Sequence, residues 1–192
     1  MSNSSPLDNL KFSEDGLKET QRKFFNTLVN TYSFFAMYAN IDEFNAKTAH
    51  IPVPDRPEID RWIISRLNTT IKQVERYFDE YEPTRASREM ETFVEELSNW
   101  YVRRNRRRFW KSGATLDKTA AYQTLHQCLL SMSQLMSPIA PFMSEWMYQH
   151  LTNEVPGYED SVHLSFFPTV EETAILPALE HKMERARLIS AI

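Results

Sequence analysis

The sequence predicts an all-α fold, a helical bundle of about five main helices. Three observations predict it. Only three glycines occur in 192 residues, so the chain is poor in tight turns. Hydrophobic residues make up 42% and aromatic residues 12%, enough to fill one good-sized core. Apolar residues also recur in steps of three and four over long stretches, the period of a helix with one buried face.

The elements follow in order. Leu17, Phe24, Leu28, Tyr32, Phe35 and Ala39 define a first long helix. Pro52, Pro54 and Pro57 make the next stretch a loop, because proline lacks the donor a helix interior needs. Ile59, Ile63, Leu67, Ile71, Val74, Phe78 and Tyr81 define a second helix, and Glu82-Pro83 opens a third. That third helix carries Ala86, Met90, Phe93, Leu97, Trp100 and Tyr101 inward and is expected to close at Gly113. Over about 28 residues it reaches roughly 42 Å. Asp117 is the expected cap of a fourth helix through Leu125, Leu129, Met132 and Met136, which ends or kinks at Ser137-Pro138. A fifth runs from Pro141 to Leu151. Val162, Leu164 and Phe166 alternate with polar neighbours, so residues 156–176 read as an extended cover segment without a partner strand. Pro177 opens a last helix with Leu179, Met183 and Ala186 on one face; it stops at Ile192 without a cap, so the chain is expected to end within an element.

Charge is distributed unevenly. Net charge is -4, yet six of the 22 basic residues (Arg103, Arg104, Arg106, Arg107, Arg108 and Lys111) fall within nine positions that contain no acid. The remaining 16 basic residues face 26 acidic ones, leaving a body at -10. Compensating a helix dipole takes one or two cations, whereas six repel one another unless an anion answers them. An acidic body with one basic spot excludes polyanions generally and admits them at one place. Helical spacing sets Arg103, Arg106 or Arg107, and Trp110 on one side, with Arg104 and Arg108 on another that continues the stripe of Leu97 and Tyr101. Arginine forks grip phosphate oxygens in pairs, and Trp100 or Trp110 can stack an unpaired base, a combination suited to RNA loops.

Other chemistries find no support. No histidine has a glutamate three residues before it, so the Glu-x-x-His metal signature is missing and no metal site is expected. The isolated glycines form no phosphate loop, no nucleophile elbow occurs, and no catalytic residue is assigned. The doublets Glu95-Glu96 and Glu171-Glu172 are expected to face solvent. Cys128, the single cysteine, lies in an apolar run and reads as a core thiol. No apolar stretch approaches the roughly 20 residues that span a bilayer, and the first ten residues have neither a basic nor an apolar region. A soluble, cytoplasmic monomer is expected.

Three runs resemble a known family: DNLKFSEDGLKETQRKFFNTLVNTYSFFAMYANID from Asp8, NWYVRRNRRRFW from Asn99, and MSPIAPFMSEWMYQHL from Met136. They resemble the helical domain of isoleucyl-tRNA synthetases, class I enzymes that attach isoleucine to its tRNA. The resemblance covers nearly the whole chain. It implies that residues 1–12 form a junction after a catalytic core, that 13–155 hold the anticodon stem-loop of isoleucine tRNA, and that 177–192 begin a further helix. It also implies tRNA contacts at the arginine run, Trp110, Lys111 and Asn30, and the remaining synthetase domains as partners. ATP and magnesium belong to the enzyme's core, whose HIGH and KMSKS signatures are absent here, as is the editing domain; no cofactor is expected within this chain. Valine, leucine and methionine enzymes share the bundle. A different reading is a protein-interaction scaffold, with Trp146 and Met147 on an exposed apolar patch.

Overall fold

In the computed structural model, which describes residues 13–46, 49–153 and 155–190, the apolar periodicity becomes six helices, with no strand among the described residues. The expected junction at residues 1–12 and the terminal Ile192 lie outside the described residues.

Helix α1 covers residues 14–41 in three parts, Glu14–Thr20, a π-helical Gln21–Phe25 and Asn26–Ile41. Ser13 caps its start by accepting from the Gly16 N–H at 3.2 Å. Leu28, Phe35 and Ala39 are buried, whereas Leu17, expected on the same face, is 58% exposed because the first turns lie beyond the core. Helix α2 is Glu58–Asp79 and α3 covers residues 83–110, as Pro83–Glu95, a π-helical Glu96–Val102 and Arg103–Trp110. Tyr81 falls between them with φ 56° and stands exposed rather than continuing the apolar face. Helix α4 is Leu116–Leu135, α5 Pro141–Thr152 and α6 Pro177–Ser190.

Two end signals fall elsewhere than the sequence suggests. Helix α3 stops at Trp110, where Lys111 turns extended, and Gly113 with φ 87° serves the loop beyond. The cap of α4 is Thr115, whose hydroxyl accepts from the Lys118 N–H at 3.2 Å, so Asp117 sits inside the first turn. A side-chain oxygen caps only from the non-helical residue before the first turn, and Thr115 occupies that place.

Helix α4 lies at the centre, with Ala121, Leu125, Cys128, Leu129 and Met132 fully buried against α2, α5 and the ends of α1 and α3. Trp62, Ile63, Leu67 and Val74 from α2 and Phe93, Leu97 and Tyr101 from α3 complete the core. Each such side chain contributes about 1.5–3 kcal/mol on burial. Burial also pushes the Cys128 thiol pKa up, as expected of a core cysteine.

The C-terminal segment is held by polar bonds. Residues 162–164 form a 3₁₀ turn instead of an alternating extended run, with Val162 buried but Leu164 and Phe166 exposed. The side chain of Asn68 accepts from the Glu171 N–H at 2.7 Å, and Ser65 accepts from the Leu176 N–H at 2.7 Å. On α6, Glu180 meets Ser65, Thr69 and Arg66, while Arg187 bonds Glu96 at 2.5 Å and Glu95 at 2.9 Å. Arg66 also bonds Glu96 at 2.9 Å. Glu96 is therefore buried between two arginines rather than solvated, and only Glu95 of that doublet is exposed.

Candidate nucleic-acid interface

The arginine run occupies the last two turns of α3, and one member of it is committed to the fold. Arg108 donates to both carboxylate oxygens of Asp60, at 2.7 and 2.8 Å. Asp60 is completely buried and accepts a further bond from the Tyr101 hydroxyl at 2.7 Å. Arg108 reaches α4 as well, through the Asp117 carbonyl at 2.6 Å and its carboxylate at 3.0 Å. Burial alone would lower the Arg108 pKa, but the bonds to Asp60 outweigh it and raise the value above that of a free guanidinium. Beside it, Phe109 is buried with its ring 5.2 Å from Phe34 and 5.0 Å from Tyr122.

The loop that follows is fixed too. The buried Lys118 ammonium donates to the Lys111 carbonyl at 2.7 Å and pairs with Asp42 at 2.5 Å, tying the end of α1 to the end of α3. Arg56 in the proline-rich loop is 3% exposed and bonds the Ile51 carbonyl and the Thr124 hydroxyl, both at 3.0 Å. Gln123 holds the same loop through Ile51 and Ala49, both at 2.9 Å. The surface is thus built on a braced end of the bundle.

Arg103, Arg104, Arg106, Arg107 and Lys111 are all exposed, and Trp110 is 57% exposed. Among the described residues, Arg108 is the member of the run that forms ion pairs. Arg104 does not continue the core stripe: its guanidinium carbon lies over the Trp100 ring, 4.0 Å from the centroid. Trp100 is half-buried and gives the arginine a fixed seat, a cation–π contact of about 0.5–1 kcal/mol at such a site. The pair read together from sequence is therefore split, with Arg108 inward and Arg104 outward.

Helix α1 runs parallel to α3 and supplies the other wall. Its π-helical stretch Gln21–Phe25 meets the first part of α3, Pro83–Glu95, and Phe34 and Tyr38 meet Phe109. At 100° per residue, the side of α3 turned outward next to Phe109 carries Arg106, Trp110 and Arg103. On α1 the outward side next to Phe34 carries Asn30 and Met37. Asn30 is exposed and Met37 is 49% exposed. Asn30 lies one turn before Phe34, at the level of Arg106, which sits nearly a turn before Phe109. Arg103, Arg106 and Trp110 of α3 and Asn30 of α1 thus lie toward one side of the bundle, where Met37 accompanies them, whereas Arg104 on the Trp100 ring lies farther round α3.

Several free guanidinium groups beside an exposed indole, on a body of opposite charge, suit a phosphate backbone with an unpaired base. Residues 60–192 match the family model described as the anticodon-binding domain of tRNA ligase. The chain belongs to this family of tRNA ligase anticodon-binding domains. An isoleucine–tRNA ligase of Porphyromonas gingivalis is 52% identical over 193 residues, covering 100% of this chain and 17% of that protein. One of Bacteroides fragilis is 52% identical over 195 residues, again covering 100% of the chain and 17% of the relative. One of Cytophaga hutchinsonii is 49% identical over 195 residues, covering 100% and 18%. The chain spans about one sixth of the length of these relatives. Among the described residues of this anticodon-binding domain, no helix is long and apolar enough to cross a membrane, and no group of three metal-ligating side chains occurs.

Proposed function

We propose that this chain holds the anticodon arm of isoleucine tRNA for a parent isoleucine–tRNA ligase. The observation that carries the reading is the set of exposed arginines on α3 standing without acidic partners beside Trp110 and Asn30. In this reading Arg103, Arg106, Arg107 and Lys111 take backbone phosphates, Arg104 presents its fork from the Trp100 ring, Trp110 stacks an unpaired base, and Asn30 bonds a base or sugar edge. Arg108 serves by bracing the helix through Asp60. The amino acid assignment to isoleucine, rather than valine, leucine or methionine, rests on the relatives of about 50% identity.

Activation of isoleucine, with ATP and magnesium, belongs to parts of the parent outside this chain. The three isolated glycines make no phosphate cradle, so the chain alone is expected to be inactive in pyrophosphate exchange. It acts as a cytoplasmic monomeric module, with residues 13–155 as the binding bundle and the rest of the synthetase as its protein partner.

Salt-dependent binding of isoleucine tRNA to the isolated chain tests the reading. Affinity is expected to fall with salt by a slope of roughly 0.7–0.9 per phosphate neutralised. Replacing Arg103, Arg106 and Arg107 together with glutamine flattens that slope while the helical circular dichroism persists. An unchanged affinity and slope in the folded triple variant removes this face from the site.

A further inference from the structure

The opposite flank of α1 carries a surface of different chemistry. Phe142, Trp146 and His150 follow one another on α5 at steps of four, which aligns them along one side of the helix. Phe142 is 91% exposed and Trp146 40% exposed, whereas Met147, expected beside Trp146 on an apolar patch, is buried in the core. Tyr32 of α1 meets Trp146 edge-on at 4.9 Å between centroids, and the Trp146 and His150 rings lie 4.8 Å apart. Rings held against one another form a ledge with little freedom left to lose on binding.

At His150 the ledge opens onto two clefts. One, of about 540 Å³, is lined in part by Asn40, Glu43 and Asn153; the other, of about 650 Å³, by Tyr158, Glu159 and Asp160. Among the described residues neither lining contains a lysine or arginine, and the three carboxylates are exposed and form no ion pair. Carboxylates repel phosphate, and they attract the same cations that an exposed indole face attracts. The distance from Phe142 to His150 is roughly 12 Å along the axis at 1.5 Å per residue, the reach of about four residues of extended chain.

We propose that this ledge docks a basic polypeptide segment, with an apolar side chain on Phe142, an arginine or lysine over Trp146, and further cations in the clefts beside His150. The proposal stands independently of the RNA reading, because it uses the flank of α1 turned away from α3.

The test uses the 192-residue chain and a synthetic peptide of about ten residues rich in arginine and leucine, with a twin bearing glutamate for arginine. Calorimetry and the Trp146 indole resonance are expected to show saturable binding of the arginine peptide only. Phe142→Ser and Trp146→Ala should each weaken it at least about tenfold, the loss typical of an aromatic anchor. The combination Glu43→Gln, Glu159→Gln and Asp160→Asn should weaken it and its salt dependence, while Arg103→Gln with Arg106→Gln and Arg107→Gln should not. Phe142 is so exposed that its replacement leaves folding intact. The proposal is overturned by absence of saturation, by equal binding of the glutamate twin, or by binding that survives Phe142→Ser. A dimer lost on Phe142→Ser assigns the ledge to a second copy, and competition by an RNA hairpin assigns it to nucleic acid; either overturns the proposal.

Discussion

Arg103, Arg106 and Arg107 stand exposed along one face, while Arg56, Arg66, Arg108 and Arg187 each close a network between elements distant in sequence. The residue type is the same and the outcome opposite. In the second group the guanidinium has carboxylates or carbonyls fixed around it by the packing of apolar neighbours, so its fork is satisfied within the fold. In the first no such partner exists among the described residues, and the charge is left for a ligand. Charge density along the sequence therefore marks where cations cluster, but only tertiary pairing separates arginines left exposed from arginines that brace.

That contrast can be broken most forcefully at Asp60. Replacing it with asparagine leaves Arg108 partly buried without its carboxylate, and removal of one partner from such a pair typically costs about 3–5 kcal/mol. Urea unfolding should show that loss; a change near zero would mean that Arg108 finds compensation in Asp117 and is less committed than its geometry implies. Glu96→Gln should cost less, about 1–3 kcal/mol, since Arg66 keeps Glu89 and Glu180 and Arg187 keeps Glu95. The same titration checks it, and loss of α6 protection in hydrogen exchange would localise the effect.

A smaller effect concerns pH. Burial lowers the His126 pKa from the ordinary 6.5, although its bond to the Leu151 carbonyl works in the opposite direction. Because the folded value lies below the unfolded one, its contribution is complete above about pH 6.5 and declines as pH falls toward the folded value. Stability measured between pH 7 and 5 should decline, and less steeply in His126→Gln. The smallest change in stability belongs to the exposed arginines, where the triple glutamine variant should stay within roughly 0.5 kcal/mol of the parent while losing RNA affinity. A large destabilisation there would move Arg103, Arg106 and Arg107 into the bracing group.

The helices were legible because burial imposes a 3.6-residue period on the chain, and the basic run was legible because its members are contiguous. Residues whose partners lie far away were not. Asp60 in the first turn of α2 resembles any acid complementing a helix dipole, yet it serves Arg108 from 48 positions away. Glu96 looks solvated beside Glu95 until Arg66 and Arg187 are brought to it from either side. Leu164 and Phe166 misled for the reverse reason: alternation promises burial only where a covering layer exists, and a 3₁₀ turn at residues 162–164 turns them outward. Met37 carries no signal as a surface residue, because an apolar side chain at helical spacing reads as core, and of the pair Trp146 and Met147 the sequence does not say that only Trp146 stays exposed.

The π-helical stretch Glu96–Val102 gives the arginine motif its rotational setting. A turn of that kind takes up one residue more than an α-turn, so everything after it lags by about 100° around the axis. Wound as an unbroken α-helix, the same run would aim Arg107 at Asp60 and drive Arg108 toward the pocket filled by Phe109. The letters RRNRRR therefore do not by themselves say which arginines face outward. The extra residue upstream selects them, and two chains sharing the motif but differing in that one winding would offer different cations to a ligand.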